Sequence, residues 1–302
     1  MSPALSPLTP QDLPALARLA RTAAPSAVRL DARGWGQQSF GDPHADPALL
    51  LKLQQGKRLL GVALGVTRPS RRGLQGHVKF AAVAPGNRRR GLGSLLFGAL
   101  EARLQGQGCA SLHVGACPPP YISGGLPIED TAGFCFLLKR GYARGEAVLD
   151  MEADLRAFQP RWTKADRKAM ADNKLRKATA DDAAGLMKMV EKAFPHWAWE
   201  AESGLTRGTV IVAGTKGTVQ AFACCSATHP GWFGPMGTVE SQRGKGLGRL
   251  LLLRSMELLK AEGWGGARIP WVGPVPFYAR YCGAVLGPTF WTFSKPAGAS
   301  PP

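Results

Sequence analysis

The chain has 302 residues, with 38 Lys and Arg against 21 Asp and Glu, a formal net charge of +17 and a pI near 10.1. That length exceeds one typical domain and suits two of about 150 residues; with 45% hydrophobic and 20% charged residues, each half can bury a core, which excludes a broadly disordered chain. No apolar run reaches membrane-spanning length, and the start Met1-Ser2-Pro3-Ala4-Leu5-Ser6-Pro7 lacks the basic-then-apolar pattern of a secretion signal, so no membrane partner and a cytoplasmic location are expected.

The positive excess permits binding to nucleic acid or another anionic polymer. No long basic block is interleaved with aromatics, however, and the tightest cluster, Arg88 to Arg90, sits in a loop with its own purpose. Nucleic acid is therefore not the expected partner. Cysteines stand at 109, 117, 135, 224, 225 and 282, with neither Cys-x-x-Cys nor His at metal spacing, so reduced thiols and no metal are expected.

In chain order, Thr9 followed by Asp12 reads as a helix start, because Thr and an acid three residues on cap each other's backbone; Thr179 and Asp182 repeat the pair 170 residues later and mark a second domain. Residues 23–48, rich in Pro, Gly, Asp and Trp, are expected as a long loop or irregular helix pair on a substrate side. A strand over 57–66 and its hairpin partner over 76–83 follow. Then come a basic Gly-rich loop, a helix over 94–105 and a buried strand over 109–115, the order of a βαβ unit. A short helix over 131–140 and paired strands over 142–155 end the first domain, expected as 1–155, before a polar, helical linker at 156–173 whose charges form a solvated face. The second domain, 174–302, repeats the order: a helix over 186–194, an aromatic and acidic segment at 195–202, hairpin strands over 209–213 and 219–228, and a strand over 234–239. The loop, a helix over 249–262, a strand over 267–272, a short helix over 275–281 and a closing strand over 287–295 complete it.

The loop is written twice. Arg88, Gly91 and Gly93 recur as Arg243, Gly246 and Gly248 at one spacing of 155 residues. Glycines admit backbone dihedrals that let successive N–H groups converge on an anion, and a helix starting there adds its orphan N–H groups and the positive end of its dipole. Arg and Lys supply charge, so the guest is a di- or triphosphate-like group. A Walker loop is excluded because Gly244-Lys245 is followed by Gly246, and a dinucleotide fingerprint because Leu96 and Leu251 stand where the third glycine belongs.

The stretches Arg88-Arg89-Arg90-Gly91-Leu92-Gly93 and Arg243-Gly244-Lys245-Gly246-Leu247-Gly248, each after an apolar strand and before an amphipathic helix, resemble the acetyl-CoA signature of the GNAT acetyltransferase superfamily. The resemblance implies an α+β (mixed α/β) fold in two tandem domains, each a twisted mixed sheet flanked by helices. It also implies acetyl-CoA held by Val83, Arg88, Arg89, Arg90, Gly91, Leu92, Gly93 and Ser94, and by Thr238, Val239, Arg243, Gly244, Lys245, Gly246, Leu247, Gly248, Arg249 and Phe277. In the family, a tyrosine on the short helix after the next strand protonates the CoA sulfur. Tyr278 takes that place, with Tyr281 as fallback, whereas the first copy has Leu137, which has no proton to give. Catalysis is thus expected in the second domain, on a small-molecule amine; the look-alikes are bacterial tandem proteins, including glucosaminide N-acetyltransferases and mycothiol synthase.

Glu240, Glu200, Glu202 and His196 are the candidates for a base, and Trp197, Trp199 and Trp232 for stacking on a sugar. The first copy spends 48 residues between Gly93 and Gly141 where the second spends 35 between Gly248 and Gly283, so residues 117–130 are extra: a lid, a substrate loop or an interface element. Two other readings stay open, a CoA-responsive regulatory module without catalysis and a basic surface for nucleic acid.

Overall fold

The computed structural model describes residues 2–24, 30–207 and 209–298, so residues 25–29 of the expected 23–48 loop lie outside the described residues. The chain divides into two compact units, one from the N-terminus to Val148 together with the residues from Pro288 on, the other Leu149–Gly287. The expected division at 155 and 174 falls elsewhere.

In unit 1 the order is β1 (Ala4–Pro7), α1 (Leu13–Ala23), α2 (Ala32–Gln38), β2 (Leu50–Gln55), β3 (Arg58–Ser70), β4 (Gly73–Val83), α3 (Leu92–Gly106), β5 (Ser111–Val114), β6 (Leu126–Pro127) and α4 (Thr131–Lys139), then β7 (Ala143–Asp154), which begins here. Sequence reading misses β1 and β2 and shortens β3. The start expected at Thr9 is real: Thr9 N–H donates to Asp12 Oδ2 at 2.8 Å, a short 3-10 turn runs into α1, and Lys52 Nζ pins the same carboxylate at 2.7 Å. Strands β1 to β4 pair antiparallel in turn, and β4 pairs parallel with β5 from Gln75↔Ser111 to Val78↔Val114.

Helix α3 covers one face so closely that a Cβ on Gly65 would stand 2.6 Å from Leu100 Cδ1; glycine is what permits the approach. On the other face Trp35 of α2 meets Phe80 of β4 with ring centroids 4.7 Å apart.

The sequence pattern puts the last strand, β13 (Val285–Pro296), in the second domain. Instead its 288–296 stretch joins unit 1, pairing with β5 from Phe293↔Val114 to Pro296↔Ser111. An alternating strand carries no mark of the sheet it will join; here the tie is electrostatic and aromatic. Lys295 Nζ lies 2.8 Å from Glu101 Oε1 and donates to Arg140 C=O at 3.0 Å, while Phe293 meets Phe134 at 5.5 Å. Likewise 142–155 is one strand, not a hairpin. Residues 149–154 of β7 belong to unit 2 and pair with β12 (Gly266–Ile269), where buried Asp150 accepts from Arg268 Nε at 2.7 Å and Trp271 N–H at 2.9 Å.

Between them unit 2 runs α5 (Lys164–Asp172), β8 (Arg176–Lys177), α6 (Ala183–Ala193), α7 (Ala198–Arg207), β9 (Val210–Thr215), β10 (Thr218–Cys225), β11 (Phe233–Thr238), α8 (Leu247–Ala261), β12 and α9 (Val275–Cys282). The expected linker is an integral layer of this unit: Trp162 Nε1 donates to Glu257 Oε1 at 2.8 Å, and Asp166 of α5 pairs with Arg249 of α8. Its Arg161, Lys164, Arg167, Lys168 and Lys174 are exposed, as a solvated face requires. Strand alternation sorts β10 into two faces. Ala221, Ala223 and Cys225 face Leu251 and Met256 of α8, whereas Phe222 and Cys224 face Leu186 of α6 and Ala201 of α7.

Among the described residues no helix is long and apolar enough to cross a membrane, no group of His, Cys, Asp and Glu is placed to hold a metal, and the six cysteines are free thiols, only Cys135 being exposed.

Candidate active site

The two Gly-rich loops have one geometry. Each leaves its strand by a 3-10 turn (Pro85–Asn87, Glu240–Gln242) and enters its helix through a glycine in the left-handed region, Gly91 at φ 78° and Gly246 at φ 80°. Two residues earlier stand Arg89 at φ 62° and Gly244 at φ 76°, so the first copy strains an arginine where the second uses glycine. Nothing lies within 4 Å of where a Cβ would project at Gly91, Gly244 or Gly246. The first helical bonds, Leu95 N–H to Gly91 C=O at 3.0 Å and Leu250 N–H to Gly246 C=O at 3.2 Å, leave the preceding N–H groups facing out of the helix N-terminus. An open cradle of amides with exposed Arg89, Arg90 and Lys245 beside it suits a pyrophosphate.

The signature arginines hold the loops closed. Arg88 Nε donates to Val83 C=O at 3.1 Å and Arg243 Nε to Thr238 C=O at 3.2 Å; Arg88 also reaches Ala23 C=O at 2.7 Å. Val239 N–H is bonded to Gln220 C=O at 2.9 Å, and Arg249 is committed to Asp166. Leu92, Gly93 and Ser94, and Leu247 and Gly248, form the first turns of α3 and α8.

Beside each loop two parallel strands part. In unit 1 the β4–β5 ladder ends where Gly115 N–H meets Val78 C=O at 3.4 Å. In unit 2, β11 and β12 meet at the Trp232↔Arg268 bridge and have no further paired residues among the described ones. His77↔His113 and Trp232↔Arg268 are again 155 residues apart, so the repeat extends well beyond the loop. Both entering strands carry an irregularity at the parting point. It falls at Lys79 in β4, between Leu64↔Phe80 and Gly65↔Val78, and at Gly234 and Pro235 in β11, between Ala223↔Met236 and Cys225↔Phe233. A bulge turns backbone amides out of the ladder and toward the opening.

What fills the openings differs. In unit 1 it is lined by Lys79, Gly115, Cys117, Ile122 and Ser123. Lys79 Nζ is bonded to Asp42 Oδ2 at 2.6 Å and Gln38 C=O at 2.9 Å, and Arg68 joins the same carboxylate at 2.6 Å while donating to Pro118 and Pro119 C=O at 3.2 and 2.6 Å. The extra 117–130 segment is thus part of unit 1's interior: Cys117, Tyr121, Ile122 and Ser123 are buried, and Leu126 and Pro127 pair with β13. Sequence reading misses this network; Lys79, a charge between Val78 and Phe80, was its visible sign.

In unit 2, α9 packs Tyr278 beside the start of β11. Its ring is buried edge-on against Phe233, the first residue of β11, at 6.2 Å and against Phe277 at 5.2 Å. Burial, helped by the Cys282 thiol, pushes its hydroxyl up to about 12, so it keeps its proton through neutral pH. Tyr281 instead turns to α8, where Arg249 lies 6.0 Å from its ring. Glu240, Glu202 and His196 are exposed; Glu200 alone of the base candidates is buried. Trp197 is stacked on Phe194 at 5.1 Å, and Trp232 lies between His229 at 4.1 Å and the Arg268 guanidinium at 4.7 Å; Trp199 is half-buried.

A parted parallel strand pair, a glycine cradle at a helix N-terminus and a short helix over the first turn, present in both units, define a protein of two tandem GNAT-like domains. Residues 15–119 match the model of the Acetyltransferase (GNAT) family. Among solved structures the chain is similar to the GCN5-related glucosamine N-acetyltransferase region of a fungal multi-domain GH3 β-N-acetylglucosaminidase, with TM-score 0.76 and 17% identity, covering 97% of this chain and 38% of that one. The chain thus spans well under half the length of that protein. It is also similar to a GCN5-related N-acetyltransferase from Sphaerobacter thermophilus, with TM-score 0.69, 16% identity and coverage of 99% and 96%. A tandem GNAT protein from the clavulanic acid biosynthesis pathway gives TM-score 0.68, 17% identity and coverage of 99% and 100%. At such identities the shared property is the fold. No curated protein matches the sequence.

Proposed function

We propose that the chain is an N-acetyltransferase that moves the acetyl group of acetyl-CoA to a primary amine of a small molecule, an aminosugar in the first instance, in unit 2. The observation that carries this reading is Tyr278, a buried, protonated hydroxyl on the helix seated over the cradle's first turn. The cradle fits the donor: Gly244 and Gly246 leave open room before the α8 N-terminus, and the amides of Gly246 to Gly248 with Lys245 would hold its pyrophosphate. When bound, acetyl-CoA supplies an activated acyl carbon. Of the two bulge residues of β11, Gly234 has an N–H to offer the developing oxyanion and Pro235 has none.

As the amine N–C bond forms and the C–S bond breaks, Tyr278 faces the sulfur. A hydroxyl held near 12 does not surrender its proton to a thiolate of ordinary pKa, about 8.5. Its contribution is a hydrogen bond to the charge growing on sulfur, and the proton that sulfur finally takes up balances the one nitrogen loses.

The same reading makes unit 1 the non-catalytic copy. Leu137 stands in α4 where Tyr278 stands in α9, and Lys79, bound to Asp42, lines the opening. The aminosugar acceptor is supported by the name of the fungal neighbour, at 17% identity. The test is thiol release from acetyl-CoA with a panel of amines, glucosamine first. Turnover with one of them and none without amine is expected; release that no amine accelerates would overturn the reading.

A further inference from the structure

Glu200 is 6% exposed, and its Oε2 is enclosed without a hydrogen-bond partner. No ion pair involves it among the described residues. Elsewhere this chain couples its buried carboxylates, Asp42, Glu101, Asp150 and Asp182, to Lys or Arg. Among the described residues Glu200 is the exception, and a fold gains nothing from an enclosed, unpaired carboxylate.

Its place is specific. Helix α7 lays one face on β10: a Cβ on Gly204 would meet Cys224 Sγ at 3.4 Å, and Ser203 Oγ donates to Ala227 C=O at 2.9 Å. Glu200 lies one turn before Gly204 on that face, and its charge acts on the Cys224 thiol. Cys224 stands in the gap of the β10–β11 register, between Ala223↔Met236 and Cys225↔Phe233, so Gly234 and Pro235 of the bulge lie opposite it. Neighbouring strands are about 4.8 Å apart. Glu200 therefore lies over β10, whose Cys224 neighbours Gly234 of β11, on the sheet face opposite α8.

We propose that Glu200 is the base that takes a proton from the acceptor's ammonium group. The inference rests on the acetyl-transfer reading of unit 2. The ammonium donates to the Glu200 carboxylate and passes one proton to it. The freed lone pair forms the N–C bond as C–S breaks, the second proton leaving nitrogen balances the one sulfur takes up, and Glu200 returns its own to solvent.

Burial, opposed only by its own backbone N–H, pushes the Glu200 carboxyl up to about 7, where a base is both ionised and basic enough to work at neutral pH. The groups around it are few. Cys224 faces it from β10, and the 226–232 segment that Ser203 ties to α7 brings His229. Helix α6 turns Leu186, Met189 and Val190 inward with Lys188, Glu191 and Lys192 exposed, and β9 brings no titratable side chain.

The test uses the full chain, wild type and Glu200→Gln, with glucosamine and the wider amine panel. It reads kcat/KM against pH by thiol release and the carboxyl infrared band by difference between the two proteins. A band titrating near pH 7 is expected, with an acid limb of the same midpoint in the wild type, whereas the rate of the Gln variant should rise only with the deprotonation of the acceptor amine itself and so shift from one amine to the next. Glu200→Gln should lower kcat/KM at pH 7 about a hundredfold or more, the gap closing at high pH where the amine arrives already deprotonated. Glu200→Asp should restore the limb, and it carries the test if the Gln variant does not fold. A Gln variant that keeps a limb at the wild-type midpoint whatever the amine, or that loses rate equally at every pH, overturns the base role alone. A wild type that turns over none of the amines overturns the function reading and the base role with it.

Discussion

Phe277 closes over Gly248, so that a Cβ at the glycine would stand 3.8 Å from its Cζ. Phe136 does the same at Gly93, at 3.7 Å from its Cε2. One aromatic thus seats the short helix on the first turn of the long one in each unit and sets the direction of the next residue, Tyr278 in one and Leu137 in the other. The repeat keeps the seat and changes what is seated.

Tyr278→Phe keeps that packing and removes only the hydroxyl. A hydrogen bond to a charged partner is worth about 1.5–3 kcal/mol, so kcat should fall about tenfold to a hundredfold with little change in KM for acetyl-CoA. Tyr281→Phe, on the α8 side, should leave kcat unchanged. Steady-state thiol release on both variants decides it, and equal effects would move the donor's role away from Tyr278.

Gly246→Ala and Gly91→Ala impose the same backbone strain, at φ 80° and 78°, worth about 1–2 kcal/mol each. Their thermal stabilities should drop alike. Only Gly246→Ala should raise KM for acetyl-CoA in turnover, because the unit 2 cradle is the one the reaction uses. A matching rise from Gly91→Ala would give unit 1 a part in catalysis.

The sequence made the cradle legible because its requirements are local: left-handed dihedrals at fixed positions and a helix start. It also placed Leu137 and Tyr278 opposite each other. It did not show that Arg88 and Arg243 face their own strands, since a guanidinium serves a carbonyl as readily as a phosphate, nor that β7 and β13 each run from one unit into the other. Strand partners are a tertiary choice. Glu200 read no differently from Glu202, two residues on; only the burial of α7 separates them.

The C-terminal strand should loosen in acid through Glu101. Burial raises this carboxyl, but the Arg140 and Lys295 contacts outweigh it and hold it below its ordinary value of 4.5. The unfolded chain therefore takes up the proton first. The tie is at full strength above the ordinary carboxylate range and is lost as pH falls through the folded value. Glu101→Gln should be less stable than wild type at pH 7, and the difference should shrink as pH falls below the ordinary carboxylate range, by urea unfolding. A constant difference across that range would show that the ion pair is not what holds β13.

Asp42 is the sole carboxylate between two buried cations. Its side chain is 2% exposed, those of Lys79 and Arg68 3% and 11%, and both donate to the same oxygen. Removing one partner of such a pair costs about 3–5 kcal/mol, because what is left is a charge in a dry place. Asp42→Ala should therefore destabilise unit 1 by that order. Adding Lys79→Met should recover part of the loss, since it leaves Arg68, which keeps the Pro118 and Pro119 carbonyls, as the only cation to satisfy. Urea midpoints of the single and double variants measure it. A double variant no better than the single would mean that Lys79 serves the opening of unit 1 rather than its stability.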